Sequence, residues 1–194
     1  MRQFSDRAQA GAVALVVAVT VAACSGGGGG GGGGTQPPTQ PPPPARMISW
    51  SGDANPGPDT IFVEIRTLNN PDEFELQLRV NEISALYGLA LDIIFPDSNL
   101  DFVSEDTEEG DFLFAGGNFE TELNILEDDG RLIIGYSRLG DVSGRTGNGL
   151  LLRLYFRTTA NGSSLFEIDN ELAINTGGAP INATWLGGTV QVQR

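Results

Sequence analysis

Hydrophobic and polar residues alternate with a period of two through most of the chain beyond residue 59. The clearest case is the run of Leu89, Leu91, Ile93 and Phe95, whose side chains would all lie on one side of a strand. Comparable apolar runs occupy 60–67, 74–80, 100–104, 132–136, 150–157, 165–168, 172–174 and 189–192. No stretch has the i, i+3, i+4, i+7 spacing of an amphipathic helix. The pattern predicts an antiparallel β-sandwich.

Turn-forming residues separate the predicted strands. Pro96 has no N–H to donate to a sheet, and Asp97, Ser98 and Asn99 follow it with side chains that bond their own backbone. The pair Asp129-Gly130 is the strongest hairpin signal in the chain. Further turns are predicted at Asn69-Asn70-Pro71, Asn148-Gly149 and Asn161-Gly162.

The first 23 residues have the pattern of a cleaved leader. Arg2 and Arg7 give a positive start, and the apolar run from Ala10 to Ala23 is shorter than the ~20 residues of a membrane-spanning helix. The small residues before Cys24 resemble the lipobox of bacterial lipoproteins, in which this Cys becomes the lipid-bearing N-terminus. The alternative is an ordinary secretory leader with an incidental free Cys.

Residues 24–46 are predicted to be a disordered tether. Nine consecutive Gly follow Ser25, and the residues after them are rich in Pro. Neither composition can bury enough apolar surface to fold, and the Gly run lacks the Lys-Ser/Thr of a phosphate-binding loop. The folded domain is therefore predicted over residues 47–194, which is long enough for one hydrophobic core.

The charge of the chain bears on its partners and its location. The net charge is −14 and all eleven basic residues are Arg, and removal of the leader, with its two Arg and one Asp, would leave −15. Because phosphate binding needs a basic face, the composition argues against a nucleic-acid partner. Anionic lipid would repel the domain, so acyl chains on Cys24 would provide the anchor. Ser25 stands where an Asp would signal inner-membrane retention, so the lipobox resemblance favours the outer membrane.

The residue types present exclude several kinds of catalytic site. The sequence has no His, and its one Cys is the predicted lipidation site. Ser-His-Asp and Cys-His hydrolysis and zinc sites built on His or Cys are therefore excluded. Carboxylate pairs of the glycosidase kind would fall in exposed loops, where nothing in the sequence raises a pKa. The chain is predicted not to be an enzyme.

Two features indicate ligands other than protein. The acidic stretch from Glu105 to Asp111 is predicted to be a loop that binds calcium or, alternatively, a solvated charged loop that protects a sheet edge. Its candidate calcium ligands are Asp106, Glu108, Glu109 and Asp111. Trp50 and Trp185 are candidates for a sugar-stacking platform, and their more ordinary role is to plug a core or an edge.

Several segments resemble cohesin-type domains, the β-sandwich modules that bind dockerin modules in cellulosomes. Leu86 to Ser104, LYGLALDIIFPDSNLDFVS, resembles the YGFxxxLxYDPxxLxFVS segment of the family, and Gly110-Asp111-Phe112 resembles its GDF step. Gly130 to Ile168 resembles the later strands of the family. The similarity spans roughly Asp59 to Val192. It implies a jelly-roll sandwich of about nine strands.

The resemblance also implies a binding surface. In the family, dockerins dock on a sheet that includes the counterparts of 86–95 and 130–138. The candidate contacts at these positions and in the following loop are Tyr87, Gly88, Ala90, Asp92, Asp141, Ser143, Arg145 and Thr146. The sequence thus predicts a lipid-anchored, non-catalytic module of the bacterial cell envelope that binds a protein partner, dockerin-like or other. The alternatives are a carbohydrate-binding module that takes polysaccharide, and an accessory or structural lipoprotein of an envelope or secretion assembly.

Overall fold

The structure is a computed structural model and describes residues 46–114 and 120–193. The predicted leader, Cys24 and the tether up to residue 45 lie outside the described residues. Within the described ranges, no helix is long and apolar enough to cross a membrane.

Eleven strands and one helical turn account for the regular structure of the described residues. They are β1 (Met47–Gly52), β2 (Thr60–Thr67), β3 (Glu73–Leu86), β4 (Gly88–Ile94), β5 (Leu100–Glu109), α1 (Asp111–Phe114), β6 (Thr121–Glu127), β7 (Arg131–Arg138), β8 (Arg145–Thr158), β9 (Gly162–Ile174), β10 (Thr184–Leu186) and β11 (Gly188–Gln193).

The strands form two sheets that pack face to face. One has six strands in the order β1-β11-β9-β4-β7-β6, and the other has five in the order β10-β2-β3-β8-β5. Neighbouring strands are antiparallel, except that β10 runs parallel to β2. The prediction of an antiparallel jelly-roll sandwich is confirmed. Strands β1, β6 and β10 had no predicted counterpart, and the two short runs at 165–168 and 172–174 form the single strand β9.

Aromatic rings fill the centre of the core between the sheets. Phe156 is fully buried, and its ring centroid lies 5.0 Å from that of Phe95, 5.2 Å from Phe166, and 5.5 Å from both Phe74 and Phe102. These residues come from both sheets, because β8, β3 and β5 belong to one and β9 to the other. Since each ring buries roughly 150–250 Å² of surface, this cluster is a main source of the attraction between the sheets.

The predicted hairpin turn between β6 and β7 is confirmed. Asp129 and Gly130 have φ values of 42° and 79°, and the residues on either side, Asp128 and Arg131, exchange backbone hydrogen bonds of 2.9 and 3.1 Å. Two successive residues in the left-handed region are the mark of a type I′ turn, which matches the twist of the flanking strands. A Cβ at position 130 would also lie 2.5 Å from the carbonyl oxygen of Phe95, so the position requires Gly.

Two predicted loops or turns are wrong. Asn148-Gly149 lies inside β8 instead of forming a turn, and β8 begins at Arg145. The acidic stretch predicted as a loop forms the second half of β5 as far as Glu109. In both cases the long strand β8 supplies the partner, since it pairs with β3 on one side and β5 on the other. The side-chain bond from Arg153 to Glu108, 3.2 Å long, supports the extended end of β5.

Candidate functional site

One side of the six-stranded sheet packs on the core and the other faces solvent. On β4, for example, Leu89, Leu91 and Ile93 are buried, so the residues between them point outward. We term the solvent side of β6, β7, β4 and β9 the outer face. Its residues are Glu122, Asn124, Leu126, Arg131, Ile133, Gly135, Ser137, Gly88, Ala90, Asp92, Ile94, Glu167, Asp169, Leu172 and Ile174.

Small residues form the floor of a shallow groove at one end of the outer face. The cross-strand register places Gly135 beside Ala90 and Ser137 beside Gly88. A Cβ at Gly135 would have no neighbouring atom within 4 Å, so the backbone there is open to a partner. The walls are Leu172 and Ile174 on β9, and Glu122 and Asn124 on β6. The groove has a volume of about 260 Å³.

Exposed apolar side chains border this groove. Leu172 on its wall is 46% exposed, and Leu126 and Ile133, which are cross-strand neighbours on β6 and β7, are 62% and 39% exposed. Leu165, 49% exposed, continues the same side of β9 toward β11. Large apolar side chains gathered on one solvent-facing surface are typical of an interaction site, whereas single exposed ones are common on any protein.

Asp92 is the centre of a polar cluster in the outer face. Its carboxylate is only 6% exposed, and its Oδ2 atom accepts hydrogen bonds from Asn170 Nδ2 at 2.5 Å and Arg131 Nε at 3.0 Å, with a further bond from Arg131 Nη2. Asn170 reaches it because β9 bulges at this point, where Asn170 adopts a φ of 50°. The bond from Asn170, together with Arg131, lowers the pKa of Asp92 against the opposing effect of burial. Asp92 therefore stays ionised and holds three strands of the face in register.

Of the other predicted contacts on β4, Gly88 and Ala90 lie in the floor of the groove, and Tyr87 lies just beyond its end. The Tyr87 hydroxyl donates a hydrogen bond of 2.9 Å to the carbonyl oxygen of Gly140, in the segment between β7 and β8. This bond holds the start of that segment against the end of the outer face.

The remaining predicted contacts belong to the β7–β8 segment and the start of β8. Asp141 and Ser143 are exposed, and Arg145 is half-buried in the first position of β8. The Oγ1 atom of Thr146 accepts a hydrogen bond of 2.9 Å from the backbone N–H of Ala85. The structure thus brings the predicted residues other than Asp92 to the end of the outer face where β4 begins, and Asp141 and Ser143 are exposed there.

The four candidate calcium ligands do not gather at one point. Glu108 and Glu109 are successive residues of a strand and point to opposite sides, Glu108 toward Arg153. Glu109 Oε2 accepts hydrogen bonds from Thr121 Oγ1 at 2.5 Å and from the hydroxyl of Tyr136 at 3.1 Å. Burial and, after it, this carboxylate raise the pKa of Tyr136, so its phenol remains a donor.

Of the other two candidate ligands, Asp111 lines the same depression as Glu109, and Asp106 does not. Asp106 is exposed in the irregular part of β5, and Asp111 is the first residue of α1. Asp111 lines a depression of about 810 Å³ whose wall mixes acidic groups with Arg79 and Arg153. Among the described residues, no group of three acidic, His or Cys side chains is placed to hold a metal ion.

Neither Trp stands on an exposed platform. Trp50 is partly buried, with its ring centroid 6.4 Å from that of Phe166. A Cβ at Gly52 or Gly188 would lie 2.6 or 2.2 Å from the indole, so these two glycines make room for it. Trp185, on the short strand β10, also packs against the core. Both side chains take the more ordinary of the two predicted roles.

Sequence reasoning missed the contribution of β6 to the outer face. Its residues Glu122, Asn124 and Leu126 had no predicted strand to place them. One signal was present, because a two-residue turn at Asp129-Gly130 requires a strand before it as well as after it. Extending the pairing back from that turn gives the observed register, in which Leu126 lies opposite Ile133.

Comparison with known proteins identifies the fold. No family model and no curated protein matches the chain. Among solved structures, a non-cellulosomal cohesin from the archaeon Archaeoglobus fulgidus is 16% identical, with a TM-score of 0.51 over 68% of this chain and 89% of that one. The sixth cohesin of scaffoldin B from Acetivibrio cellulolyticus, in complex with a Cel5 dockerin mutant, is 14% identical, with a TM-score of 0.54 over 69% and 97%.

A third structure extends the same result. A type II cohesin domain from the cellulosome of Acetivibrio cellulolyticus is 11% identical, with a TM-score of 0.56 over 70% of this chain and 95% of that one. At these identities the comparison concerns the backbone fold alone. The sandwich described above therefore has a cohesin-like fold.

Proposed function

We propose that this chain is a non-catalytic module of the bacterial cell envelope that binds a protein partner, dockerin-like or other, through its outer face. The support from comparison is that a cohesin of the same fold was solved in complex with a dockerin. The support from the sequence is the lack of His, which removes the common acid–base residue of hydrolases.

The observation that carries the proposal is the apolar border of the outer-face groove. Leu126, Ile133 and Leu172 are large and exposed on one sheet surface, and the first two are cross-strand neighbours. The groove floor of Gly88, Ala90 and Gly135 leaves room for a partner side chain to reach the backbone. Apolar side chains with polar groups beside them are common in protein–protein interfaces.

The proposal includes a membrane anchor. In it, Cys24 carries the lipid, the protein lies on the outer membrane, and residues 24–46 are the tether between lipid and sandwich. The support is the leader pattern and the Gly- and Pro-rich composition of this segment. Such a tether would confine the domain near the membrane and raise its effective concentration toward any partner there.

A capture experiment with matched variants tests this function. The purified protein is offered envelope and secreted fractions of its own organism, with and without a calcium chelator, and the captured protein is identified and titrated. We expect Ile133→Lys to weaken binding of that protein about tenfold or more, because it replaces an exposed apolar side chain of the groove border, beside Leu126, by a charge.

Met47→Lys is the matched control, since Met47 is 67% exposed on β1 and lies outside the outer face. It should leave the affinity unchanged. Equal loss in the two variants, or no loss in either, would assign binding to another surface. Capture of polysaccharide without protein would replace the proposal by the carbohydrate-binding alternative.

A further inference from the structure

A hydrogen bond joins one edge strand of each sheet at one end of the sandwich, and we term this contact the clasp. β5 is the edge strand of the five-stranded sheet, and β6 is that of the six-stranded sheet. Glu109, the last residue of β5, accepts the hydrogen bond from Thr121, the first residue of β6. This contact joins the two edges, so the sandwich is closed where β5 ends and β6 begins.

Beyond this clasp a slot separates the two edges. It has a volume of about 430 Å³, within the range of roughly 300–1,000 Å³ that ligand clefts occupy. Its lining residues are Phe102, Ser104, Thr107, Leu123, Ile125 and Leu126, with Glu127 at one end. β5 widens the slot because its pairing with β8 is interrupted between Val103 and Glu108.

The backbone of β6 is available for pairing along the slot. In the described structure β6 pairs with β7 alone. In an antiparallel pair, every second residue turns its N–H and C=O away from its neighbour, so one side of β6 presents these groups to the slot. The seven residues of β6 give an edge of about 23 Å. The Thr107 hydroxyl, which lines the same slot, is buried without a hydrogen-bond partner among the described residues.

The rim of the slot is acidic. Glu105 and Asp106 are exposed on the irregular part of β5, and Glu127, Asp128 and Asp129 are exposed where β6 turns into β7. The two nearest arginines in sequence and in cross-strand register already have acidic partners. Arg131 is bonded to Asp92, and Arg153 to Glu75 and Glu108. The charge of the rim therefore favours a basic occupant.

We propose that the free edge of β6 binds an extended segment of a partner protein in which apolar residues alternate with Lys or Arg. The segment adds as a strand beside β6, its apolar side chains enter the slot over Phe102 and Ile125, and its basic side chains lie along the acidic rim. A second copy of this chain is a poor occupant, because its own β6 would bring Glu127 and the acidic turn with it. This surface meets the outer face at Leu126, but its backbone edge and acidic rim lie outside that face, and the proposal does not depend on the function proposed for the outer face.

A synthetic peptide that alternates valine and lysine is the probe. Three forms are titrated into the protein: the plain peptide, one with glutamate in place of lysine, and one whose alternate backbone amides are N-methylated and cannot pair. We expect the plain form alone to bind, and amide hydrogen exchange to slow within Thr121–Glu127. Equal binding of the N-methylated form, slowed exchange confined to other strands, or no binding of the plain peptide would overturn the proposal.

Two charge reversals on the same strand give a matched pair. Glu127 lies at the slot, whereas Glu122 lies on the outer-face groove, five residues or about 16 Å away along β6. That separation exceeds the screening length of about 8 Å at physiological salt. Glu127→Lys should weaken the peptide about fivefold, and Glu122→Lys less than twofold.

A larger loss of peptide affinity in Glu122→Lys than in Glu127→Lys, or an equal loss in both variants, would show that the peptide does not bind in the slot. The same pair of variants distinguishes binding at the slot from binding at the outer face, because an outer-face partner should respond to Glu122→Lys and not to Glu127→Lys. Failure of the peptide to bind would therefore leave the outer-face proposal to its own test.

Discussion

At the scale of single residues, Asp92 illustrates how an apparent surface charge becomes structural. Its position on β4 predicts a polar contact for a partner, and its side chain does lie on the outer face. The structure shows that Asn170 and Arg131 cover its carboxylate. A bulge in β9 brings Asn170 to this position. The sequence of β4 alone does not predict that bulge. The residue therefore shapes the face more than it presents a free charge to a ligand.

Replacing Asp92 should change both stability and its dependence on pH. Asp92→Asn removes a charged acceptor that has three donors, so we expect a loss of about 2 kcal/mol in the free energy of unfolding at neutral pH. Because the folded pKa lies below the ordinary 3.8, the contribution of this carboxylate is complete above that value. It is lost as the pH falls through the lower, folded pKa.

Denaturant titrations across pH 2 to 7 check this expectation. The wild-type protein should lose stability below about pH 4 more steeply than Asp92→Asn. Asp141→Asn, at an exposed loop position, is the control and should follow the wild type. Parallel curves for wild type and Asp92→Asn would contradict the structural role of the cluster.

At the scale of elements, alternation located the long central strands well but missed shorter or mixed ones. β2, β4 and β7 agree closely with their predicted positions because large apolar residues recur at every second position in each. β6 was missed because Ile125 and Leu126 are adjacent and acidic residues flank them, which blurs the period of two. The acidic half of β5 has the local composition of a loop, and it forms a strand because it pairs with β8, which is distant in sequence. Cross-strand pairing, and not the local residue pattern, determines whether such segments form strands.

The β6–β7 turn provides a prediction at this scale. Gly130→Ala should destabilise the protein by about 1–2 kcal/mol for the left-handed backbone alone, and by more if the contact with the Phe95 carbonyl cannot relax. Gly135→Ala is the matched control in the same hairpin, because its new methyl group would meet no atom within 4 Å. It should be neutral or slightly stabilising. Thermal unfolding of both variants tests this, and equal effects would contradict the assigned turn geometry.

At the scale of the whole molecule, the sequence predicted the fold class and a protein-binding role, and the cohesin-like sandwich is confirmed by the solved structures that match it. The location of the candidate site could be predicted in part. Gly88, Ala90 and Asp92 were placed on the correct sheet, since their strand alternates clearly. The apolar border formed by Leu126, Ile133 and Leu172 was missed, because an outward-facing apolar residue has the same one-dimensional pattern as a core residue.

The molecule presents two surfaces with different chemistry. The outer face combines an apolar border with a shallow groove over small residues. The β6 edge combines an acidic rim with backbone groups that have no strand partner within residues 46–114 and 120–193. The matched variants Glu122→Lys and Glu127→Lys distinguish binding at these two surfaces.

The most direct measurement of the central claim is amide hydrogen exchange of the protein with and without the captured protein partner. We predict slower amide exchange in β4, β7 and β9, which together with β6 form the outer face. The exchange rates in β2 and β3 should not change. Slowed exchange confined to β2 and β3, on the opposite sheet, would contradict the claim that this chain binds its partner through the outer face.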